Sequence, residues 1–169
     1  MKKLENSINE AIIDFPDKNN KGEWSEIYEK KLERAEAVLA QCNIIEEKIN
    51  IMKSKSVRNA YTLEIYEQVN ILVRFSSEIL LALKAYDNAQ TEQEIKNTYK
   101  RINQLPEEFE SLRKKLEEIY AKTRILIKPN TYILDQDHHI HSANQSISFD
   151  WQFCAELLFL KKLEITNLN

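Results

Sequence analysis

A single glycine, Gly22, serves a chain of 169 residues. Tight hairpin turns and phosphate-cradling loops need residues at positive φ, and glycine supplies them without steric cost. A chain with one glycine has no stock of such turns, which excludes strand-rich sandwiches, barrels and Gly-rich nucleotide-binding folds. Three prolines, Pro16, Pro106 and Pro129, add few further breaks. Glu, Lys, Leu, Ile, Ala and Asn fill the remainder, the composition of long helices. The expected fold class is all-α: an antiparallel bundle of three long helices plus a shorter C-terminal helix, with a long ordered loop before it.

The apolar spacing supports this reading. Residues 3–14 allow a short helix, which "FPDKNNKG" ends at Pro16 and Gly22. Residues 1–21 therefore form an N-terminal extension, and residues 22–169 a single helical domain. From Trp24 the apolar positions Ile27, Leu32, Ala35, Leu39, Cys42, Ile45, Ile49 and Met52 recur in steps of mostly three and four, one face of a helix. "KSKS" at 53–56 reads as the connection to a second helix over 57–86, carrying Tyr61, Ile65, Val69, Leu72, Phe75, Ile79, Leu83 and Tyr86. Its middle holds few charges, so it is the most buried element; Arg74 is expected to reach the surface or to pair with Glu78 one turn on. Thr91 and Glu94 have capping-box spacing and open a third helix. Its stripe of Ile95, Tyr99, Ile102, Leu105, Phe109, Leu112, Leu116 and Ile119 runs through Pro106, where a kink or one-turn break is expected. Glu107 and Glu108 would then lie in a helix first turn, where negative charge suits the dipole. After Arg124 the helical pattern stops. Residues 125–149 hold too many large apolar residues for a disordered tail, and the last helix begins near Asp150, capped by Ser148 or Asp150.

The formal net charge is −3, and acids and bases alternate rather than segregate, which gives no electrostatic case for nucleic acid. "RKK" at 113–115 and "KK" at 161–162 are isolated. No apolar run approaches membrane-span length, and Glu5, Asn6, Asn9 and Glu10 interrupt any secretory core. Cys42 and Cys154 read as buried free thiols of a reducing, cytoplasmic compartment, a disulfide requiring their helices to pack together there.

All three histidines lie in "DQDHHIH", residues 135–141. Asp135, Asp137, His138, His139 and His141 include the right ligand types for zinc or a facial triad, but the chain has no H-E-x-x-H, paired C-x-x-C or Glu-x-x-His. A polar loop satisfying its own amides needs the same residues, so no metal and no cofactor is expected, with His138, His139 and His141 the weak candidates for one. Cys154 sits in the apolar run "WQFCAELLF", where a thiol is usually inert. Asn144, Trp151 and Gln152 offer an aromatic face beside amides, suited to a ligand or an interface, although a buried anchor uses tryptophan equally well. No catalytic residue emerges.

The stretch "LPEEFESLRKKLEEIYAKTR", residues 105–124, resembles the helix near the C-terminus of family 20 glycoside hydrolases, the β-N-acetylhexosaminidases, and "DQDHHIHSANQSISFDWQFCAELLFLKKL" is similar to the tail of some bacterial members. The similarity covers roughly residues 79–163. That family's substrate-assisted hydrolysis uses an adjacent Asp-Glu pair on a barrel strand. This chain has no Asp-Glu dipeptide, no alternating strand–helix pattern and too few residues for the barrel. The resemblance therefore implies a non-catalytic accessory region, or a truncated reading frame, that braces the barrel or mediates dimerisation. Its implied partners are the catalytic barrel domain of the same enzyme or a homodimer partner, with neither nucleic acid nor membrane involved. A free-standing helical interaction module is the alternative, and a metal-binding bundle built on the histidine loop a third.

Overall fold

The computed structural model describes residues 13–58, 60–122, 159 and 160. It is all-α, with no strand among the described residues. A short helix α1 (Glu23–Ile27) leads into three long ones: α2 (Glu29–Lys55), α3 (Ala60–Asp87) and α4 (Glu92–Ala121). Phe159 and Leu160 are helical and buried in the main core.

The lone glycine stands where its freedom is needed. Gly22 caps α1 at φ 87°, in the left-handed region, with no side-chain cap of its own. The missing cap comes from elsewhere. Asp87, the last residue of α3, accepts hydrogen bonds on Oδ2 from the Ser25 backbone N–H at 2.9 Å and from the Ser25 hydroxyl at 2.6 Å. An α1 amide that no local side chain reaches is thus satisfied from another helix. Trp24 is buried beside it and donates through Nε1 to the Asp14 carbonyl at 2.6 Å. Lys21 donates to the Tyr86 carbonyl and lies over the Tyr86 ring. These contacts pin the start of the described chain to the end of α3.

The expected continuous helix from Trp24 is divided at Tyr28, whose φ of −100° and ψ of 14° lie outside the helical region. The break turns the register, so Ile27, expected on the buried stripe, is 68% exposed. α2 also runs further than expected: it takes in Lys53, Ser54 and Lys55 of the proposed connection. α4 begins with the expected capping box, in which Thr91 Oγ1 accepts from the Glu94 amide and the Glu94 carboxylate accepts from the amides of Thr91 and Gln90. It crosses Pro106 as one helix of 30 residues, with no one-turn break. Pro106 is buried, and the Ile102, Leu105 and Phe109 side chains around it pack into the core, which outweighs the one lost amide bond. Glu107 and Glu108 accordingly lie in mid-helix, and Glu108 pairs with Arg101 at 2.6 Å rather than serving a helix start.

α3 is the middle helix. It packs on α2 at one side and on α4 at the other, while α2 and α4 scarcely meet. Two buried amides of α3 fix both contacts. Gln68 donates to the Leu112 carbonyl of α4 at 2.8 Å, and Asn70 to the Cys42 carbonyl of α2 at 3.0 Å. Residues two apart on a helix point about 200° apart, so neighbouring amides reach opposite flanks. Arg74 pairs with Glu46 of α2 and not with Glu78 as the local spacing suggested; that bond ties two helices instead of decorating one. The core is dominated by α3 and α4, with Leu72, Phe75, Ile79, Leu83 and Tyr86 facing Ile102, Leu105, Phe109 and Leu116. From α2 only Leu32 joins this cluster.

Candidate functional site

That imbalance leaves part of the apolar surface of α2 uncovered by the other described helices. A helix in a bundle buries a wide stripe only when two neighbours flank it, and among the described helices α2 has essentially one. Cys42 and Ile49 are buried against α3, yet Ile45 is 43% and Met52 54% exposed, although all four share the stripe seen in the sequence. The result is an open apolar groove of about 670 Å³ along the α2–α3 seam.

Buried Cys42, Ile49, Leu63 and Asn70 form its floor. Val38, Ile45 and Met52 rise on the α2 side, and Tyr66, Val69 and Val73 on the α3 side. Tyr66 is 60% exposed, a large aromatic ring presented to solvent. The Asn70–Cys42 hydrogen bond crosses the floor and commits one Asn70 amide proton to the protein. Burial pushes the Cys42 thiol above its ordinary value; Arg74 offsets this in part, while Glu46 and Glu78 add to it. A thiol so held is not an activated nucleophile.

Two cations stand on the groove's lining, Arg34 and Lys48, both on α2. Both are exposed, and neither makes an ion pair with a described residue. The sequence explains this. The helical neighbours of Arg34 at three and four positions are Lys30, Lys31, Ala37 and Val38, and those of Lys48 are Ile44, Ile45, Ile51 and Met52, so no acid lies within side-chain reach along α2. Three acids of the α2–α3 seam are engaged elsewhere: Glu36 with Lys84, Glu46 with Arg74 and Glu67 with Lys53.

The residues singled out from the sequence, Asp135, Asp137, His138, His139, His141, Asn144, Trp151 and Gln152, lie outside the described residues, as do residues 1–12, the loop 125–149 and Cys154. Among the described residues no three His, Cys, Asp or Glu side chains gather in a way that would hold a metal ion, and Cys42 is a free thiol. Among them, too, no helix is long and apolar enough to cross a membrane. The groove itself was not foreseen. Its signal was nevertheless present in the surplus of apolar residues on α2, where Ile44 and Ile51 accompany Ile45 and Met52 beyond what a single contact can bury.

No family model matches the chain, and no curated protein or solved structure matches it either.

Proposed function

We propose that this chain is a helical protein-interaction module and that the α2–α3 groove is its working surface. The observation that carries the reading is the long apolar face of α2 that its own bundle leaves open. Contiguous exposed apolar surface beside polar surroundings marks contact sites on soluble folds. The groove offers little for catalysis: its floor is apolar apart from the Asn70 amide, which bonds the Cys42 carbonyl, and its thiol is buried with a raised pKa. A narrower version of the same reading makes the module an accessory region of a β-N-acetylhexosaminidase-like glycosidase. The residue pattern at 105–124 favours that narrower version, in which the occupant is the catalytic barrel or a homodimer partner.

The test is site-specific photo-crosslinking in the cells that make the protein, with a benzophenone amino acid replacing Tyr66. A discrete adduct that disappears when Ile45→Glu is added supports an interaction surface. No adduct at Tyr66, from a chain that retains its helical circular dichroism, would refute it. An adduct partner carrying a barrel with an adjacent Asp-Glu pair would select the glycosidase version. Purified chain alone is expected to leave a chromogenic N-acetylglucosaminide intact.

A further inference from the structure

If the groove is an interaction surface, its shape and charge specify the occupant more closely. On that premise we infer that the groove takes an amphipathic helix of a partner protein that carries acidic residues at both ends of its apolar face.

A helix is the form that fits. The lining runs from Arg34 to Met52, about 27 Å at helical rise, or five turns. An extended segment laid into this apolar trough would bury most of its amides without partners, because Asn70 is the one polar side chain of the floor and already bonds the Cys42 carbonyl. No strand edge exists among the described residues to pair with it. A helix satisfies its own backbone and needs only an apolar stripe at i, i+3, i+4 and i+7. Seated there, it would give α2 the second neighbour that the fold withholds.

Charge decides between a foreign helix and a second copy. Arg34 and Lys48 are equidistant from Gln41 along α2. In an antiparallel pairing of two copies centred on Gln41, each Arg34 meets the other copy's Lys48. In a parallel pairing in register, Arg34 meets Arg34 and Lys48 meets Lys48. At these two positions both symmetric arrangements set like charges together at each end of the seam, which disfavours those two registers. An occupant with a carboxylate near each end meets two cations that have no other partner among the described residues, one about 21 Å from the other along the helix.

The experiment uses the full chain and two fluorescein-labelled synthetic helices of about 18 residues, a length matched to the groove. Both carry leucines at i, i+4, i+7 and i+11. One has glutamates flanking the stripe at each end, and its twin has lysines there. Fluorescence anisotropy is expected to show the acidic helix binding about tenfold tighter at low salt, with the difference shrinking as salt rises. The double variant Arg34→Glu/Lys48→Glu should invert the preference; both positions are exposed, so the fold is retained. Equal affinity of the two helices would overturn the acidic-partner inference while leaving the groove a docking site. No binding of either, with sedimentation showing a dimer that Ile45→Glu dissolves, would assign the groove to a second copy. No binding by a monomeric chain would overturn the inference and the docking reading with it.

Discussion

Asp87 is the residue whose removal should test the logic of this fold most directly. Its side chain is fully buried, and Oδ2 receives both the Ser25 amide and the Ser25 hydroxyl. Hydrogen bonds to a charged group contribute about 1.5–3 kcal/mol each, and a lost helix cap costs about 1 kcal/mol. The other oxygen, Oδ1, is buried and has no hydrogen-bond partner among the described residues, an opposing desolvation cost of about 1–3 kcal/mol that Asp87→Ala removes. The Ser25 hydroxyl also accepts from Asn88 at 2.9 Å, so it is not left wholly unpaired. The net expectation for Asp87→Ala is a loss of about 2 kcal/mol, or about 4–8 °C in Tm for a chain of this size. Urea titration followed by circular dichroism measures it. Asp87→Asn keeps an acceptor for Ser25 and should lose about half as much. A double-mutant cycle with Ser25→Ala should return a coupling of about 1 kcal/mol, since the pair is in direct contact. Stability of Asp87→Ala within about 0.5 kcal/mol of the parent, the range of an ordinary surface change, would refute the claim that α3 caps α1 in this way.

The remaining expectations concern the core, the groove and one titration. Ile79→Ala, at a fully packed position of α3, should cost about 2–5 kcal/mol in the same assay, whereas Ile45→Ala on the open wall should cost under about 1 kcal/mol; similar losses would mean that the groove is filled. In a Cys154→Ser background, Cys42 should react with iodoacetamide at pH 8 far more slowly than the same chain in urea, because burial both raises its pKa and blocks access. Reaction at the rate of a free thiol would contradict its placement on the floor. The Glu94 carboxyl is held below its ordinary value of 4.5, first by the Thr91 amide, then by the Gln90 amide and the Thr91 hydroxyl. Its folded pKa is depressed, so its contribution is present above the unfolded value and is lost as pH falls through the folded one. The protection of the amides at the start of α4, measured against their unfolded exchange rates, should therefore fall as pH is lowered below 4.5, and Glu94→Gln should remove that fall.

The amino-acid sequence by itself determined the fold class. One glycine and a three-to-four periodicity leave little besides long helices, because neither tight turns nor alternating strands can be built from these residues. The capping box at Thr91 and Glu94 was equally legible, since it depends on residues three positions apart. Three features were decided only by tertiary structure. Arg74 chose Glu46 across the seam over Glu78 on its own helix. Pro106 stayed inside an unbroken α4 because residues on both sides of it pack into the same core. Most consequentially, the stripe of α2 did not become core: Cys42 and Ile49 were buried and Ile45 and Met52 were not. Periodicity states which residues share a helix face, but burial depends on how many neighbours that face acquires. Among the described helices, with α3 in the middle, α2 acquired one, and the groove is what that arrangement leaves over.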